Sequence, residues 1–278
     1  MIELSDNKSN IAPATPSVSK VVLDLLAAIP SHEIPVAALC QATALFGIAE
    51  QTTRVALTRL VKQGKVTNPK RGIYRIDPNT NSLFRIISHW VTTEELLIPW
   101  QGKWIGVSDA AVEKQQRTQL RAHQRALALK GFKQLHKGLH LRPDNLRGGV
   151  AAQREELVTL GLAPGATVFG MHGLASADES QAKALWDSAA LQCNYAHMLE
   201  SLEASNVRLS HLSTEAAAVE SLLLGREIIR RIVRDPRLPE ELVPGEQRKQ
   251  LVALMQHYKQ HSKKLWYNLL QLNEIVSA

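Results

Sequence analysis

Apolar residues recur along this chain with three different rhythms. Residues 1–17 carry Ser, Asn, Pro and Thr without any period, which predicts a disordered tail. Val22, Leu25, Leu26 and Ile29 then repeat at three and four residues, one face of a helix, until Pro30 ends it. Val36, Leu39 and Cys40 predict a second short helix after Pro35, and Phe46-Gly47-Ile48 breaks the period as a tight turn does. A third helix is predicted over residues 49–63, with Leu57, Leu60 and Val61 as its buried stripe and Gly64 in the place of a capping glycine. Short strands over 65–67 and 73–76 follow, around the basic turn Asn68-Pro69-Lys70-Arg71-Gly72. Helix, helix, turn, helix and hairpin is the order of a winged helix-turn-helix.

The middle of the chain alternates. A strand over 103–107, a helix over 112–130 stopped by Gly131, strands over 132–135 and 139–143, a helix over 151–160 and a strand over 167–171 give the order βαββαβ. That order predicts a ferredoxin-like sandwich. From Glu179 the pattern is helical: Leu222, Leu223, Ile229, Ile232 and Val233 form an apolar face ended by Pro236 and Pro239. Leu251, Leu254, Tyr258, Leu265, Leu269 and Leu272 mark a last long helix. The expected fold is α+β and multi-domain. It has a winged helix-turn-helix over 18–85, a central ferredoxin-like domain with its linker over 86–175, and a C-terminal helical domain over 176–278 for effector binding and dimerisation.

Composition narrows the function. With 278 residues, 45% hydrophobic and 21% charged, the chain has the balance of a globular protein. No apolar run approaches the ~20 residues of a membrane span. The opening Met1-Ile2-Glu3-Leu4-Ser5-Asp6 lacks the basic start of an export signal, so a cytoplasmic protein is expected. Cys40 and Cys193 have no metal or redox spacing. The net charge is +7, and its placement matters more than its size. Between Arg54 and Arg75 there are seven basic residues (Arg54, Arg59, Lys62, Lys65, Lys70, Arg71, Arg75) and no acidic one. A merely solvated face mixes both signs, so this run predicts contact with double-stranded DNA.

In that setting Gln51 and Thr52, at the start of the third helix, are candidate base readers: Gln pairs with adenine, and Thr meets a thymine methyl or donates to a base. Arg54 and Arg59 suit guanine or phosphate, Thr58 and Lys62 suit phosphate, and Lys70 and Arg71 at the hairpin tip suit the backbone or a minor groove. A homodimer would set two such helices one turn of DNA apart and read a palindrome.

Four motifs, in order, resemble the PaaX family of bacterial regulators. They are Phe46-Gly47-Ile48 followed by Arg54-Val55-Ala56-Leu57-Thr58-Arg59-Leu60 and Gly64; Trp100-Gln101-Gly102-Lys103-Trp104; Gly131-Phe132 with the run from Gly138 to Leu146; and Asp235-Pro236-Arg237-Leu238-Pro239 with Leu242-Val243-Pro244. Gln101 stands where the family has Asp, and the stretch from Ile229 to Arg234 replaces an aromatic motif of the family. The resemblance implies a dimeric repressor of aromatic-acid catabolism, released from its operator by an aryl-coenzyme A thioester. Arg226, Arg230, Arg231 and Arg234, a cationic cluster beside an apolar face, would suit such a thioester's phosphates and acyl chain.

Competing features are weaker. Asp109 sits where a related ferredoxin-like family of nucleases carries a metal-binding Asp, but a two-metal nuclease needs several carboxylates, and a helix-capping role is the simpler expectation. Lys114, Arg117, Arg121 and Arg125 read as a solvated stripe, and His257 and His261 lack a third ligand nearby. No phosphate loop or dinucleotide motif is present, and no cofactor is expected. The alternatives to a repressor are a metal-dependent nuclease of the central domain and a protein-interaction scaffold, against which the acid-free basic run argues.

Overall fold

The structure, a computed structural model, describes residues 16–29, 33–76, 90–112 and 117–271. It is α+β, with two antiparallel sheets among the described residues. Contacts divide the chain into two units, one formed by residues 1–80, 200–228 and 255–278, the other by 81–199 and 229–254. Among the described residues no helix is long and apolar enough to cross a membrane. Most of the predicted tail, and residues 77–85 at the end of the first predicted domain, lie outside the described residues.

The first unit opens with α1 (Val18–Ala28), which buries Val21, Val22, Leu25 and Leu26. A short strand β1 (Glu33–Pro35), which the sequence did not signal, leads into α2 (Val36–Ala44). Gly47 then takes a φ of +71°, where a side chain would be strained, and the Ile48 amide donates to the Thr43 carbonyl at 3.2 Å. Next come α3 (Glu50–Lys62), β2 (Thr67–Lys70) and β3 (Ile73–Arg75). The sheet order is β1-β3-β2, with Ile34 opposite Tyr74.

Two sequence expectations need correction here. Val61 is 38% exposed; the buried stripe of α3 is Thr53, Ala56, Leu57 and Leu60. One residue beyond Leu60 turns about 100° round the helix, which carries Val61 out of the stripe. The first hairpin strand also begins later than 65–67, because the Gly64 and Lys65 amides fold back onto the Val61 and Leu60 carbonyls and close the helix. Asn68, Pro69 and Lys70 are therefore strand rather than turn, with Pro69 tolerated on an edge.

Three long helices, α7 (Ser188–Leu209), α8 (Thr214–Arg234) and α9 (Glu246–Leu270), are each divided between the units. In the first unit Trp266 of α9 is fully buried and stacks on Phe46 of the turn, with centroids 6.2 Å apart. Arg226 of α8 pairs with Asp24 of α1 at 2.7 Å. Buried hydroxyls satisfy one another, Ser205 with Tyr258 at 2.7 Å and Ser221 with Ser262 at 2.8 Å.

The second unit holds β4 (Trp104–Ser108), α4 (Arg117–Leu129), β5 (Lys133–His136), β6 (Leu139–Pro143), α5 (Gly149–Leu160), β7 (Thr167–Met171) and α6 (Ser176–Lys183). Its sheet order is β5-β6-β4-β7, antiparallel throughout. Ile105, Val107 and Val168 from the sheet meet Ala126, Leu127 and Leu157 from the helices, with Phe132 closing the core. The motif tryptophans build a second cluster: Trp104 stacks on Trp186, meets Trp100 edge-on and donates to Glu179 at 3.0 Å.

Two of the motifs are joined by a fully buried arginine. Arg142 donates to the Lys130 carbonyl at 2.5 Å, the Asn145 side chain at 3.2 Å and the Pro236 carbonyl at 3.4 Å. Asn145 in turn donates to the Arg237 carbonyl at 2.8 Å, and Tyr195 donates to Asp235 at 2.5 Å. At Gly131 a Cβ would lie 2.9 Å from the Cα of Pro236, so the glycine permits the approach.

Candidate nucleic-acid interface

The face that α3 presents outward follows from the face it buries. Thr53, Ala56, Leu57 and Leu60 point inward, and the Thr53 hydroxyl meets the Thr43 hydroxyl of α2 at 2.7 Å, which fixes the two helices against each other. Gln51, Thr52, Thr58, Arg59 and Lys62 are all exposed on the opposite side. The hairpin adds Lys70 and Arg71, both exposed, with Arg71-Gly72 at its tip.

The basic residues are not equivalent. Arg54 donates through Nε and Nη2 to the Glu50 carboxylate at 2.9 and 2.7 Å, and this partner raises the guanidinium pKa further. Arg75 pairs with Glu33 at 3.3 Å. Arg59, Lys62, Lys65, Lys70 and Arg71 are exposed and pair with no carboxylate among the described residues. The acid-free run therefore has acids beside it in space, at Glu50 and Glu33, and five of its cations have no such pair among the described residues. Thr58 donates its hydroxyl proton to the Arg54 carbonyl at 3.1 Å, so it offers an acceptor rather than a donor to a ligand.

The four arginines expected at an effector site all stand on α8, which the two units divide between Ile228 and Ile229. Arg226 lies in the first unit, held by Asp24, while Arg230, Arg231 and Arg234 belong to the second. Arg230 and Arg231 are half-buried. Arg234 alone of the four lines a cleft of about 510 Å³ in the second unit, with Leu127, Phe132, Trp186 and Leu191 as apolar walls and Lys133 as a second cation. His140 also faces this cleft, and burial holds its pKa below the ordinary imidazole value despite Asp109. Lys133 and Trp186 had no signal in the sequence: one stands in a strand, the other before a helix, and only folding brings them together.

The stretch 113–116 that leads into the helix Asp109 was expected to cap lies outside the described residues, and what the structure shows of Asp109 is its neighbourhood with two histidines. Its carboxylate lies 3.6 Å from Nε2 of the buried His123 and 3.8 Å from Nδ1 of His140. His123 accepts the Ala163 amide on Nδ1 at 3.3 Å, which leaves Nε2 facing Asp109. Among the described residues no group of three or more His, Cys, Asp or Glu side chains is placed to hold a metal ion. In the predicted basic stripe, Arg117, Arg121 and Arg125 are exposed, and Lys114 lies outside the described residues; His257 and His261 are exposed as well.

No curated protein matches the chain. Among solved structures it is similar to the uncharacterized protein Rv0674 from Mycobacterium tuberculosis, with a TM-score of 0.64 and 24% identity over 93% of this chain and 100% of that one. That likeness is one of fold. Residues 17–77, which hold α1 to α3 and the hairpin, match the family model for PaaX-like proteins, the family that the order of motifs along the chain resembles.

Proposed function

We propose that this chain is a cytoplasmic transcriptional repressor of the PaaX type, a homodimer that reads a palindromic operator. In this reading the first unit carries a winged helix-turn-helix, α3 enters the major groove and the hairpin lies on the flanking backbone. The β5-β6-β4-β7 sheet with α4 and α5 is a ferredoxin-like domain, and the protein works by binding, without an enzymatic step. The observation that carries the reading is the outward face of α3, where Gln51, Thr52, Arg59 and Lys62 are exposed, together with the exposed Lys70 and Arg71 of the hairpin; none of these cations pairs with a carboxylate among the described residues. The effector is an aromatic acid or its coenzyme A thioester, seated in the cleft beside Arg234. Support for that seat is the pairing of apolar walls with Lys133 and Arg234, which suits an apolar body bearing an anion.

A fluorescence-anisotropy titration tests it, with the full chain, its own upstream intergenic duplex and a scrambled duplex, at two salt concentrations. Preference for the native duplex, weakened steeply by salt and abolished by phenylacetyl-coenzyme A, is the expected result. Preference that ignores the thioester would remove the effector assignment alone. Equal binding to both duplexes would remove the repressor.

A further inference from the structure

At 59% exposed, Val55 is the most exposed large apolar side chain on α3. Its position is not incidental. At about 100° per residue, Gln51, Thr52, Thr58, Arg59 and Lys62 all lie within about 60° of Val55 round the helix. The buried positions Thr53, Ala56, Leu57 and Leu60 fall on the far side. Val55 is thus the centre of the outward face, whereas Arg54 stands at its margin, engaged by Glu50. A β-branched residue at an exposed mid-helix site supports neither the core nor the helix, since its χ1 freedom is lost against the preceding turn.

We infer that Val55 is a specificity-determining residue that packs on the 5-methyl group of a thymine in the major groove. This rests on the DNA-binding reading of α3. The major groove has one strongly apolar feature, the thymine methyl, and side chains select it by contact rather than by hydrogen bonding. A stiff, branched side chain at the middle of the face presents its methyl groups in a fixed position, ringed by polar and cationic neighbours suited to adjacent base edges and phosphates. Gln51 and Thr52 flank it by about one turn and supply the hydrogen-bonding part of the readout.

The test begins by selecting duplexes from a randomised library with the full-length protein. Each thymine of the selected site is then replaced singly by uracil, which removes the methyl and keeps the O4 acceptor. Binding of wild type and Val55→Ala is measured on every duplex, with thermal melting to show that the exposed substitution leaves the fold intact. At one thymine per half-site, uracil should weaken wild type about fourfold, the equivalent of one buried methyl group. Val55→Ala should bind thymine and uracil duplexes alike at that position, so that the two changes are fully coupled. A selected site at which no thymine discriminates, or discrimination that persists in Val55→Ala, would overturn the assignment while leaving α3 a DNA reader. A library that yields no preferred sequence would overturn the DNA-binding reading and this inference together.

Discussion

Glu50 sets the working charge of the third helix at the scale of single residues. It occupies Arg54 through two hydrogen bonds, and a phosphate must displace it before Arg54 can contribute. An exposed pair of this kind is worth little to the fold, because water screens it. Glu50→Gln is therefore expected to leave melting nearly unchanged while tightening DNA binding and steepening its salt dependence by about one counterion. Arg54→Ala should weaken all sequences alike; anisotropy against the selected and a scrambled duplex checks both. Thr53 has the opposite character, buried and holding Thr43 across the helix pair. Thr53→Val should lower stability by about 1 kcal/mol in denaturant unfolding, with operator affinity following. His140 gives a pH dependence. Burial keeps its pKa low, so the folded protein rejects a proton that the unfolded chain accepts near pH 6.5. Its contribution is fully present above that pH and is lost as pH falls towards the lowered value. The melting temperature of His140→Gln should accordingly fall less than wild type between pH 8 and pH 5.5.

Whole elements were legible in the sequence to different depths. The helices α1, α2 and α3 could be read because their apolar residues repeat at three and four and end at Pro30, Gly47 and Gly64. Strands β6 and β7 were found at their observed bounds, since alternation and flanking glycines agree there. Strand β1 left no trace: three residues of Glu-Ile-Pro carry no period, and only pairing with β3 makes them a strand. The basic face of α3 was readable from charge, but the partners of Arg54 and Arg75 were not anticipated. Val55 carries no signal of its own in the sequence, because periodicity does not tell an outward apolar position from a buried one; its outward position follows once Ala56 and Leu57 are seen to be buried. The turn before α3 leans on an element far along the chain, through the stack of Phe46 on Trp266. Trp266→Ala empties a fully buried site, and a loss of about 3–5 kcal/mol is expected by denaturant unfolding, with operator binding lost alongside.

On the scale of the molecule, the domains expected from sequence were consecutive blocks, while contacts gather residues from distant stretches into two units. A one-dimensional reading cannot foresee that, because helical periodicity reports which face is buried and not what buries it. The cleft beside Arg234 shows the same limit, for its walls come from α4, β5, β6 and α7. Arg142 tests the joint in the second unit. Its guanidinium satisfies carbonyls from three places in the chain, and Arg142→Met would leave them buried without a donor. A loss of roughly 3 kcal/mol or more is expected, and Arg142→Lys should not rescue it, because an ammonium lacks the planar fork that reaches all of them.

That joint also bears on how such proteins diversify. The run through Arg142 and Asn145 and the run through Asp235 and Arg237 are spent on each other, as mutual packing and hydrogen bonding inside the second unit. They act as a chassis coupling, and a coupling is indifferent to the signal that the machine receives. A descendant could change every wall of the cleft and still display the same motifs unaltered. Shared motifs of this kind would then trace ancestry of the frame, and what distinguishes one such protein from another would have to be read from the side chains outside that coupling.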